Sequence, residues 1–118
     1  MTQRYLIIDD ARISRLRLRA ALEALGTCEV VEVPNLSRAR EALAAGPWSG
    51  VFCDLLLPDG DGFSLLESLP SDGPARFVYS CRVNAETRDR AKTLGADFLE
   101  KPLQDETLAT LLRPLVAA

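Results

Sequence analysis

Five short apolar runs, most of them ending in a polar residue, alternate with segments of helical periodicity, and this alternation limits the fold more than any other feature. Residues 5–8, 28–33, 51–53, 76–79 and 97–100 read as strands. Residues 51–53 are apolar on both faces, as a buried parallel strand should be. In 28–33 the apolar residues alternate with Glu29 and Glu32, which places that strand near a sheet edge. The first helix is expected from Arg12 to Leu25, where Leu18, Ala21, Leu22 and Leu25 repeat at i, i+3, i+4, i+7 before Gly26. Asn35 or Ser37 caps a second helix running to Ala44. Residues 58–62 form a turn by composition, and a third helix covers 63–69. Asn84 caps a fourth that stops at Gly95. The last carries Leu108, Leu111, Leu112 and Leu115 at core spacing, with Pro114 expected to kink or fray its end.

Five βα units in 118 residues imply one α/β domain, a doubly wound parallel sheet with helices on both faces, spanning residues 1–118. The 47% apolar content suffices for a core, and no apolar run approaches the ~20 residues of a membrane span. The N-terminus runs straight into a strand with no separate apolar signal region, so a cytoplasmic location without membrane contact is expected. A net charge of −3 and a pI near 4.9 argue against nucleic-acid binding by this domain. The chain has no histidine, which removes Ser-His-Asp and Cys-His catalysis, histidine metal ligands and a phosphohistidine of its own. Cys28, Cys53 and Cys81 stand far apart and read as small buried hydrophobes.

In open α/β sheets, function gathers outside the carboxyl ends of the strands. The expected strands end in Asp9-Asp10, Asp54, Ser80 and Lys101. Singly, each has a structural reading: helix cap, turn residue, capping hydroxyl, solvated lysine. Together they place three carboxylates, a hydroxyl and an ammonium on one rim. Clustered carboxylates repel, and a hard divalent cation relieves that repulsion. A lysine is a compact charge suited to phosphate, and carboxylates form aspartyl-phosphates. The set fits phosphoryl chemistry, in which positioning and charge neutralisation do most of the catalysis.

At these residues the sequence resembles the receiver domain of bacterial two-component response regulators. The resemblance rests on "IIDD" at the N-terminus, "DLLLPDGDG" from Asp54 to Gly62, Val78-Tyr79-Ser80, and "LGADFLEKPL" from Leu94 to Leu103, and it covers essentially the whole chain. It implies a flavodoxin-like fold with strand order 2-1-3-4-5, an order taken from the family. It implies that Asp54 is the phosphoacceptor for a sensor histidine kinase or histidine phosphotransfer protein. Asp9, Asp10, Asp54 and the Leu56 backbone carbonyl would hold Mg²⁺ or Mn²⁺. Lys101 would pair with Asp54 and then with the phosphoryl group. Ser80 and Phe98 would switch the binding of a downstream protein target, and the Lys101-Pro102 bond would be cis. Members often pair through the face of the fourth and fifth helices and fifth strand, so a homodimer is among the implied partners. The chain reads as a phosphoacceptor that assists its own phosphotransfer and dephosphorylation, not as an enzyme, with no output segment after the fifth helix.

Leu56 and Arg82 occupy the positions that flank the phosphoryl pocket in this family. Leu56 is bulky and apolar and Arg82 is long enough to cover the group, so slow hydrolysis is expected. Phe98 lacks the hydroxyl of the commoner tyrosine, and Cys81 stands where a small residue is usual. Arg12, Arg15 and Arg19 at i, i+3, i+7 read as a solvated face, or as a docking stripe on the helix where this family meets its histidine-bearing partner. The alternative reading is a binding module independent of phosphorylation, which the complete set of acids, hydroxyl and lysine disfavours. A D-x-D phosphatase is excluded because Leu55-Leu56 follow Asp54, and a calcium loop because Phe63 stands where an acid or amide is required.

Overall fold

A computed structural model describes residues 2–81, 84–101 and 104–117. The chain folds as β1 (Gln3–Ile8), α1 (Arg12–Ala24), β2 (Cys28–Val33), α2 (Leu36–Ala44), β3 (Gly50–Asp54), β4 (Leu56–Leu57), β5 (Gly60–Asp61), α3 (Gly62–Glu67), β6 (Ala75–Ser80), α4 (Ala85–Thr93), β7 (Ala96–Glu100) and α5 (Asp105–Ala117). The main sheet is parallel in the order β2-β1-β3-β6-β7, the order 2-1-3-4-5 expected for its five long strands. β2 is an edge strand, as its glutamates suggested.

Alternation along each strand divides the core in two. Leu6, Ile8, Val51, Cys53 and Val78 face one side, with Leu36 and Ala39 of α2, Phe63, Leu65 and Leu66 of α3, and Ala91 of α4. Tyr5, Ile7, Phe52, Phe77, Tyr79 and Leu99 face the other, with Leu18 and Leu22 of α1 and Leu108 of α5. Phe52 and Phe77 stack at 4.5 Å in the middle of that layer. Both faces are thus covered by helices, as a parallel sheet requires.

Several expectations need correction. Residues 58–62 are more than a turn: Leu56–Leu57 and Gly60–Asp61 pair as a two-stranded antiparallel ribbon, and α3 begins at Gly62 and stops at Glu67. The aspartates of this stretch act as caps. Asp59 accepts hydrogen bonds from the Leu36 and Ser37 amides at the start of α2 (2.8 and 3.0 Å), and Asp61 accepts from Phe63 at the start of α3. Helical backbone continues through Pro114 to Ala117, so the helix does not fray at the proline. The side chains of Leu112 and Leu115 lie outside the described set, as do Arg82 and the Lys101-Pro102 bond. Only Cys53 is a buried cysteine; Cys28 is half-buried and Cys81 exposed.

The arginines of α1 are not a free stripe. Arg15 and Arg19 both pair with Glu32 of β2, and Arg15 also donates to the Asp9 carbonyl at 2.7 Å. They fasten α1 to the sheet edge, and Arg12 stays exposed.

Candidate functional site

Strand register assembles the site. Ile8 lies opposite Cys53, so Asp9 and Asp54 leave adjacent strands at the same level. Asp54 in turn lies opposite Tyr79, and Ser80 opposite Glu100, which brings Lys101 to the same rim. The backbone joins these ends: the Leu55 amide donates to the Tyr79 carbonyl (3.0 Å) and the Lys101 amide to the Ser80 carbonyl (2.9 Å).

Asp9, Asp10 and Asp54 each present a carboxylate oxygen within 4.8 Å of the others, the one such cluster among the described residues. Asp9 is fully buried, Asp54 nearly so, and Asp10 exposed. The two Asp9 carboxylate oxygens have different partners, and the N-cap of α1 is Ala11, not an aspartate. Asp9 Oδ1 accepts from the Ala11 amide at 2.8 Å, supporting the start of α1, while Asp9 Oδ2 accepts from Lys101 Nζ at 3.2 Å. Lys101 Nζ also donates to Asp54 Oδ2 at 2.8 Å, and Asp54 Oδ1 accepts from the Leu56 amide at 3.1 Å. Both Asp54 oxygens are therefore held, and one ammonium serves two carboxylates.

Burial raises the Asp54 pKa above its ordinary value, and the Asp9 charge adds to this. The hydrogen bonds from Lys101 and the Leu56 amide only partly oppose the rise. For Lys101, burial works against the charge, but the adjoining Asp54 and Asp9 outweigh it and raise its pKa. The cluster thus carries more negative charge than its lysine balances. This donor set, all oxygen with one member open to solvent, fits a small hard cation that keeps several waters.

Of the other expected residues, Ser80, Leu56 and Phe98 lie on β6, β4 and β7. Ser80 is buried at the end of β6. Leu56, two residues after Asp54, is about half exposed. Phe98 is half-buried on the core, with the Arg88 guanidinium 5.6 Å over its ring. Two residues were missed in the sequence. A Cβ on Gly62 would sit 2.4 Å from the Asp54 carbonyl oxygen and 2.9 Å from Cys53 Sγ, so only glycine lets the chain pass behind the acid. Tyr79 lies fully buried, with Lys101 Nζ 5.0 Å over its ring. Glycine in a turn-rich stretch and an aromatic in a strand are both ordinary, and neither signals a role by itself.

A five-stranded parallel α/β domain with an acidic cluster and a bridging lysine at its C-terminal rim has the arrangement of a receiver domain. The model of the response regulator receiver domain family matches residues 5–113, and the chain belongs to that family. It is 36% identical over 118 residues to the two-component response regulator ORR41 of Oryza sativa subsp. japonica, covering 92% of this chain and 91% of that one. It is 32% identical over 115 residues to the sensor protein TorS of Escherichia coli, where it matches 92% of this chain but spans only 12% of the relative. Among solved structures, a CheY-like receiver domain from Methylobacillus flagellatus superposes with a TM-score of 0.82 at 25% identity, covering 98% of this chain and 99% of that one. No helix among the described residues is long and apolar enough to cross a membrane.

Proposed function

We propose that Asp54 accepts a phosphoryl group from a phosphohistidine on a sensor histidine kinase or histidine phosphotransfer protein. An Asp54 carboxylate oxygen attacks phosphorus, the P–N bond to the donor imidazole breaks, and the imidazole nitrogen takes up a proton as it leaves. The observation that carries this reading is the single Lys101 ammonium hydrogen-bonded to Asp54 and Asp9 beside a third acid, Asp10. Asp9, Asp10, Asp54 and the Leu56 carbonyl would hold Mg²⁺ or Mn²⁺, which neutralises charge on the transferring oxygens when bound. Lys101, bonded to Asp54 and Asp9, follows the negative charge from the carboxylate to the phosphoryl group. Ser80 donates to that group, and Phe98 relays the change to a face that binds a downstream protein. The chain acts in the cytoplasm as one receiver domain and as a phosphoacceptor, not as a turnover enzyme.

Incubation with Mg²⁺ and acetyl phosphate, followed by intact mass, tests the reading. Modification that disappears in Asp54→Asn and without the cation supports it. A folded chain that stays unmodified, and shows no chemical-shift change with beryllofluoride and Mg²⁺, would instead be a phosphorylation-independent binding module.

A further inference from the structure

Among the described residues, two buried phenol oxygens, those of Tyr5 and Tyr79, have no hydrogen-bond partner of good geometry. A buried hydroxyl without a partner is costly, so each calls for a reason. The two differ in surroundings. The one titrating neighbour that acts on Tyr5 is Cys28, at the edge of the sheet. Tyr79 stands under the acidic cluster: its phenol comes close enough to the Asp9 carboxylate to interact with it directly, without a hydrogen bond of good geometry. Its ring face lies 5.0 Å from Lys101 Nζ, the ammonium that Asp9 and Asp54 share.

We propose that Tyr79 is a positioning residue for the metal-binding rim. Its ring supports the Lys101 ammonium by a cation–π contact, and its hydroxyl is the donor held ready for the Asp9 carboxylate. Asp9 Oδ2 has Lys101 as its donor in this structure. When Lys101 turns wholly to Asp54 or to a phosphoryl group, that oxygen needs another donor. The Tyr79 hydroxyl is buried beside it, close enough to act on Asp9 but not in good hydrogen-bond geometry in this structure. A ligating carboxylate fixed by such a second partner binds its cation more tightly than one free to swing.

This inference rests on the proposed cation site and goes beyond it, and the two can fail separately. Tyr79→Phe keeps the ring and removes only the hydroxyl. Titration with Mg²⁺ alone, followed by calorimetry or amide chemical shifts, should give a Kd raised roughly tenfold. The melting temperature of the cation-free chain should stay level or rise, because the deleted hydroxyl had no hydrogen bond of good geometry. Equal Mg²⁺ affinity in the variant overturns the proposal, and so does an affinity loss accompanied by a lower melting temperature, which marks a structural role. Asp10→Asn is the control. If the parent chain shows no saturable Mg²⁺ binding that Asp10→Asn weakens, the cation site itself fails and the Tyr79 proposal falls with it. If the parent binds and Tyr79→Phe binds equally, only the positioning role is lost.

Discussion

Lys101 Nζ lies 2.8 Å from Asp54 Oδ2 and 3.2 Å from Asp9 Oδ2, so one cation holds together two acids on neighbouring strands. Its own strand, β7, is separated from theirs by β6. Lys101→Met would leave two nearly buried carboxylates without their common partner. We expect a stability loss of about 2 kcal/mol at pH 7, below the cost of breaking a fully buried pair because the lysine side chain is 15% exposed. Chemical denaturation measures it. Phosphoryl uptake from acetyl phosphate should slow by roughly 10²-fold, the usual effect of removing one charge-stabilising donor.

The pH dependence of stability isolates Asp54. Its folded-state pKa is raised above 3.8, so the folded chain binds the Asp54 proton more tightly than the unfolded chain does. This contribution favours folding at low pH and is lost as pH rises from 3.8 through the raised folded value. Asp54→Asn removes it. The variant should be more stable than the parent by about 1 kcal/mol at pH 7, or about 4 °C in Tm. The gain should shrink below the carboxylate range, and a gain independent of pH would contradict the assignment. Lys101 has the same sign in a more alkaline window. Its raised pKa makes its contribution complete below 10.5 and lost as pH rises through the folded value.

Gly62 sets the position of Asp54 from behind. The Gly62 amide donates to the Leu55 carbonyl at 2.9 Å, and a Cβ there would meet main-chain atoms that have no room to yield. Gly62→Ala should cost about 2–3 kcal/mol in urea unfolding. It should also displace the Asp54 carboxylate and weaken Mg²⁺ binding. Gly95→Ala offers the contrast: nothing stands within 4 Å of its Cβ position, so only its φ of +70° resists the change. That substitution should cost less and leave Mg²⁺ binding intact.

Leu56, 54% exposed, presents an apolar side chain two residues after Asp54. An asparagine there could hydrogen-bond a water near the phosphoryl group, which leucine cannot. Leu56→Asn should speed loss of the phosphoryl group about fivefold, equivalent to about 1 kcal/mol in the barrier. Decay of the phosphorylated mass after removal of acetyl phosphate measures it, and an unchanged or slower decay counts against a screening role for the leucine.

The sequence by itself determined the five long strands, the five helices and the sheet faces, though not the β4–β5 ribbon. Apolar runs of strand length between segments of 3.6 periodicity left few arrangements besides a doubly wound parallel sheet, and the polar residues at the strand ends marked the rim. Asn35 and Asn84 were legible as caps because capping is local chemistry, and each accepts a hydrogen bond from the amide three residues on. The tertiary structure decided what no local pattern encodes. Register brought Lys101 to acids 47 and 92 residues away. Close approach of two chain segments required glycine at position 62. Sheet-edge packing paired Arg15 and Arg19 with Glu32, where helical spacing showed only a charged face. The Asp59 and Asp61 carboxylates became caps of two different helices because the β4–β5 ribbon points them apart. Each of these depends on distances between residues remote in sequence, and periodicity carries information only about neighbours on one element.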